Sequence, residues 1–257
     1  MIVTKKDDTF LLFEQNEHGK ISGVFAKYWQ EQLFSGHQMR EEVEYAIAHH
    51  DCAWINLDRK PIWNETHQMP YSFMDYPMYE KIAAYEAGVD EVEKESPYAA
   101  LLCSMHYTAF INKDSTDLII SRYISREIDR QERLKKRFKD VVSQEQLKFH
   151  FDLLRFCDNL SLYICLNEPG TPKSKENKMF INGFPQIFQG INEKIHANWP
   201  KEDVVIVKPF PFEQSFKIEI PYKQLHKDDI KENGLQHAYD NAIVHYRTLL
   251  IDSEIQQ

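Results

Sequence analysis

Glycine is scarce: the 257 residues include only 8. That argues against a turn-dense all-β fold and against a glycine-rich nucleotide loop, both of which need backbone freedom that glycine supplies. No two of the four cysteines, Cys52, Cys103, Cys157 and Cys165, have the C-x-x-C spacing of a zinc knuckle or ribbon. No apolar run approaches the roughly 18 residues of a transmembrane helix. The opening MIVTKKDDTF lacks the apolar stretch of a secretory signal. The expectation is a cytoplasmic protein with reduced thiols and no membrane association. Clustered positive charge is missing too. The formal net charge is −9, and the one basic run, Arg133 to Arg137, has Glu132 and Asp140 beside it, as on a solvated helix face. No nucleic-acid partner is expected, because phosphate binding relies on clustered Lys and Arg.

What is present is an ordinary globular composition, 42% hydrophobic and 28% charged, which is enough to build a packed core. The chain reads as a single domain, residues 1–257. Two short strands open it, at residues 1–3 and 9–13, around the polar turn Lys5 to Asp8. Helical periodicity then takes over, at about 21–34, 40–53, 77–88, 97–111, 116–140 and 143–166. Ser143 and Gln146 form a plausible capping box for the last of these. Pro169-Gly170 stops it, and residues 170–178 read as a polar loop. Residues 203–211 (DVVIVKPFP) and 215–221 (SFKIEIP) read as paired strands around a turn, and about 235–250 as a final helix. The fold class that follows is mostly α: a helical core at about 15–168, with a small antiparallel sheet. That sheet combines the N-terminal hairpin, about 1–14, with accessory strands at about 200–222.

Some ionisable residues stand where apolar ones belong. In the second helix Val43, Ile47, His50 and Trp54 share a stripe, and Asp51 lies one step round. In the sixth, Asp158 sits amid Leu147, Phe151, Leu154, Ser161 and Cys165. In the fourth, His106 lies between Leu102 and Phe110. A charge on a core-facing stripe is costly unless compensated. Each residue alone could be a hydrogen-bonded core side chain. A divalent cation compensates all of them together, since it needs neutral imidazoles and ionised carboxylates.

The order of these residues resembles the HD superfamily of metal-dependent phosphohydrolases. That pattern is an isolated His, a His-Asp dipeptide on a helix, and a distant Asp on a later helix. Here the dipeptide is His50-Asp51 in AIAHHDCAW and the distant residue is Asp158 in RFCDNLSL. The first His is His18, in EQNEHGKISGVFAKYW, or alternatively His37. The likeness covers roughly residues 15–166. The whole chain also resembles a bacterial family known only as a domain of unknown function, through its His-bearing helix entrance, the HHD segment and LLCSMHYTAF.

The likeness implies an HD-like helical core and one or two divalent ions (Mn, Mg, Fe, Ni or Zn) held by His18, His50, Asp51 and Asp158. His106 would be a further ligand or an acid-base group, and Asp51 would share in catalysis. His67 is a possible extra ligand, whereas His49 reads as a supporting or surface residue. The implied activity is hydrolysis of a small phosphorylated or nucleotide-like molecule. A di-iron oxygenase and a non-catalytic metal-containing binding protein are the alternatives. One departure is that Cys52-Ala53-Trp54 follows the dipeptide, so the phosphate-binding Lys common there is missing. Arg155, Lys81 and Arg59 are the candidate replacements.

Overall fold

The computed structural model describes residues 1–254. The chain opens with β1 (Ile2–Lys6) and β2 (Thr9–Phe13), an antiparallel hairpin. Helices α1 (Gln15–Tyr28), α2 (Arg40–His49) and the short α3 (Ile55–Asp58) follow. A two-stranded ribbon, β3 (Trp63–Asn64) and β4 (Met69–Pro70), leads to α4 (Met78–Glu95), α5 (Pro97–Thr108), α6 (Leu118–Phe138) and α7 (Gln144–Leu166). The C-terminal part adds β5 (His196–Lys201), β6 (Val204–Lys208), β7 (Phe216–His226), α8 (Lys227–Asn233), α9 (Leu235–Asn241) and β8 (Val244–Asp252).

The mostly-α expectation with a small antiparallel sheet is overturned. Only about half of the chain is helical, and a large curled sheet of six strands has the order β1-β2-β7-β8-β6-β5. The sheet is mixed, because β6 pairs with β8 in parallel. The expected helix at 235–250 ends at Asn241, and β8 takes its place. Residues 203–211 and 215–221 do not pair with each other, since β8 lies between β6 and β7. The pairing of a C-terminal strand with the N-terminal hairpin does hold: β2 runs antiparallel to β7, with Thr9 opposite His226.

Burial explains why these segments are strands. In β8, Arg247, Leu249 and Ile251 are buried in alternation, the period of two expected of a strand. In β6, Val205, Ile206 and Val207 are buried consecutively, as in a strand covered on both faces. One sheet face packs on the helices, with Tyr28 of α1 stacked on Phe216 at 4.0 Å between ring centroids. On the other face Ala238 and Tyr239 of α9 close a second cluster over Val3, Phe10, Leu12 and Leu225.

The helix boundaries shift for local reasons. α1 starts at Gln15, so His18 lies inside its first turns rather than ahead of it. α2 stops at His49, which leaves His50 and Asp51 just beyond the helix. α4 runs through Gly88 rather than stopping there, and the glycine serves a close approach instead: a Cβ at Gly88 would lie 2.6 Å from Cβ of Ala53. α7 has the expected capping box at Ser143 and Gln146. Its other end is held by buried Arg247 of β8, which donates to the carbonyl of Asn167 at 3.1 Å and to that of Ile164. A cation beside the unpaired carbonyls of a helix C-terminus is favourable.

No helix among the described residues is long and apolar enough to cross a membrane.

Candidate metal centre

Four helical segments converge on one buried point. α1 brings Gln15 and His18, the end of α2 brings His50 and Asp51, α5 brings His106, and α7 brings Asp158 and Ser161. Small residues make the convergence possible. A Cβ at Gly23 would lie 2.6 Å from Cβ of Ala48, and one at Gly19 would lie 3.2 Å from the Ala48 carbonyl oxygen. At Gly23, α1 and α2 therefore approach more closely than any side chain would permit, and at Gly19 the fit is already tight. Between α1 and α7 the contact is polar, with the hydroxyls of Ser22 and Ser161 2.9 Å apart.

Each central histidine is held by its Nδ1. The α2 helix ends where the Ile47 carbonyl has no intrahelical partner, and His50 Nδ1 donates to it at 2.7 Å. A carbonyl only accepts, so Nδ1 of His50 carries a hydrogen, and the neutral ring presents its lone pair at Nε2. His18 Nδ1 bonds to Ser161 Oγ. The Ser161 hydroxyl has the Asp158 carbonyl as its own acceptor at 2.9 Å, so it is assigned as receiving the His18 hydrogen. Both Nε2 atoms are buried and have no hydrogen-bond partner. They point at the same two carboxylates. His18 Nε2 is 3.1 Å from Asp158 Oδ1 and 3.5 Å from Asp51 Oδ2. The corresponding His50 distances are 3.5 and 3.7 Å. Gln15 Nε2 donates to Asp51 Oδ2 at 3.0 Å and fixes that carboxylate, while Gln15 Oε1 is buried without a partner.

The potential ligand atoms fall into two overlapping sets, His18 with His50 and Asp51, and His50 with His106 and Asp158. Within each set they lie within 4.8 Å of one another. The electrostatics are those of a site demanding positive charge. Burial presses the His50 imidazole down, but the carboxylates of Asp51 and Asp158 outweigh it and hold the pKa at about 9. Burial raises Asp158, yet the facing imidazoles of His18 and His50 bring it well below the usual carboxylate range. Burial raises Asp51. It also lowers His106 to about 3, against the pull of Asp158.

The cluster opens on a cavity of about 270 Å³. Gln15, Asp51, His106 and Asp158 form its polar side, and Trp54, Phe73, Tyr85 and Leu162 contribute apolar walls. Lys81 of α4 also lines it. This lysine is only 7% exposed, and burial lowers its pKa against the pull of Asp75. Larger depressions exist at the α7 N-terminus and between α4 and α6, but no member of the cluster lines either.

The remaining candidates lie elsewhere. His37 pairs with exposed Glu31 at 3.0 Å. His67 sits in the β3–β4 turn, bonded through Nδ1 to Asn64 at 3.2 Å and Asp75 at 3.3 Å, and belongs to neither ligand set. His49 stacks on Tyr45. Arg59 is exposed, and Arg155 is exposed over the Phe151 ring; neither lines the cavity. Sequence reasoning missed Gln15, whose position just after the hairpin carries no periodic signal. It placed Ser161 on the stripe of Asp158 without a role; the hydroxyl on an apolar stripe was the available clue.

The family described as Protein of unknown function (DUF3891) matches residues 1–227, and the chain belongs to it. No curated protein and no solved structure matches it.

Proposed function

We propose that this member of the DUF3891 family is a metal-dependent hydrolase of a small phosphorylated or nucleotide-like substrate, with a divalent ion held by His18, His50, Asp51 and Asp158. The observation that carries the reading is the pair of buried, unpartnered Nε2 atoms facing two buried carboxylates. Unsatisfied buried polar atoms are rare, and each of these imidazoles is fixed through its other nitrogen, as metal-ligating histidines are. The sequence order His, His-Asp, Asp adds the HD-superfamily likeness to that support.

When bound, the ion would lower the pKa of a coordinated water and so supply a nucleophile near neutral pH. The chain's own residues do the rest. Gln15 restrains Asp51 and offers Oε1 as an acceptor toward the cavity. His106 and Asp51 line the cavity, where they can take or return the water's proton, and His106 can also complete the ligand set. The apolar walls exclude competing water. Elemental analysis of the purified protein tests the reading. Wild type is expected to carry a divalent ion and Asp158→Ala to lose it. Full metal stoichiometry in Asp158→Ala would defeat the assignment.

A further inference from the structure

The geometry points to Lys81 as an anion seat that selects a compact phosphomonoester with an apolar body and rejects polyphosphates; this rests on the hydrolase reading. Lysine usually keeps its ammonium in water by extending along the surface. Lys81 does not: it is buried, and its Nζ donates to one backbone carbonyl, that of Phe73, at 3.0 Å. Among the described residues it makes no close ion pair, and the Asp75 carboxylate only opposes in part the effect of its burial. A buried ammonium without a counter-ion in direct contact is unfavourable unless an anion compensates it. The group has three donors, so two remain for a ligand. Lys81 shares its cavity with Asp51, His106 and Asp158, so an anion held there shares one small space with the ligand cluster.

Size and charge then narrow the substrate. The cavity of about 270 Å³ falls just below the range of roughly 300–1,000 Å³ common for drug-sized ligands. It suits one phosphoryl group and a ring-sized body. Trp54, Tyr85 and Leu162 give that body an apolar bed, and Met74, Phe110 and Met179 form a soft, exposed rim. No second Lys or Arg lines the cavity among the described residues. Further phosphates would meet no cation from the chain and would face two carboxylates. The reaction is a plain hydrolysis: water gives its hydroxyl to phosphorus, the P–O ester bond breaks, and the water's proton goes to the leaving alkoxide. The products are an alcohol and inorganic phosphate, with no change in oxidation state.

Calorimetric titration of the full chain, in the presence of Mn²⁺, tests this with phenylphosphonate as a non-hydrolysable probe and ATP as the competitor. Wild type is expected to bind phenylphosphonate at least tenfold more tightly than ATP. Lys81→Met is expected to weaken phenylphosphonate at least tenfold with no loss of thermal stability or metal content, and Lys81→Arg to recover part of the affinity. Equal binding of the two probes by wild type overturns the proposal, and that arm needs no variant. Binding by a folded Lys81→Met within twofold of wild type overturns it as well. The two failures separate cleanly. A wild type without metal that still binds phenylphosphonate through Lys81 defeats the hydrolase and keeps the seat. A metal-loaded wild type whose binding ignores Lys81 does the opposite.

Discussion

Two buried imidazole sites lie along α7, one around His150 and one around Asp158. His150, His18 and His50 are equally buried, at 0% exposure. Their partners differ. His150 is satisfied at both nitrogens: Tyr98 donates its hydroxyl to Nδ1 at 2.6 Å, and Nε2 donates to the Ser35 carbonyl at 2.7 Å. His18 and His50 are satisfied at one nitrogen only. The first site is complete without any further atom and reads as structure. The second is chemically unfinished. Burial alone does not separate a structural histidine from a functional one; the fate of its second nitrogen does.

The sharpest way to break this comparison is to delete one histidine from each site. His150→Ala strands a buried hydroxyl and a carbonyl and opens a cavity, so about 3 kcal/mol of stability should be lost. Its melting temperature should still rise on adding Mn²⁺, as wild type's should. His18→Ala should lose that rise. The reverse pattern in thermal melts would sink the distinction.

Acid offers a second, smaller contrast. Burial lowers His150 from 6.5 to about 4, with the Ser35 bond opposing. Its folded pKa lies below the unfolded one, so the unfolded chain binds the proton first. The contribution is therefore present above about pH 6.5 and drains away as pH falls through about 4, reaching at most about 3 kcal/mol. Urea midpoints across that window should fall less steeply in His150→Gln than in wild type. Parallel slopes would show that this group is not responsible.

The finest test concerns Ser161, which holds His18 without facing the cavity's ligand atoms. Ser161→Ala removes the acceptor for the His18 Nδ1 hydrogen. Mn²⁺ affinity should drop about 10–100-fold while the fold survives. An unchanged titration would mean that His18 needs no such support.

Much of the second site was legible in the sequence because its residues violate a local rule: Asp158 and His106 interrupt apolar helical stripes. The helices themselves were legible for the same reason, through their spacing and through the Ser143–Gln146 cap. The sheet was not. β8 is held by β7 on one side and β6 on the other, and such long-range pairing leaves little trace in a segment as helix-compatible as residues 235–250. β5 went unseen because only Ala197 and Trp199 of its six residues are buried. Lys81 was one of three candidate phosphate-binding residues, but its burial is a property of the assembled cavity, not of α4.

The glycine seam between α1 and α2 carries a lesson for anyone who would re-engineer this protein. The rim of Met74, Phe110 and Met179 stands in solvent and can be diversified to explore new ligands. At Gly23 there is no room for even a methyl group, because Ala48 already occupies that space. A library that treats every helix position alike would wreck the imidazole geometry from a residue that never touches it.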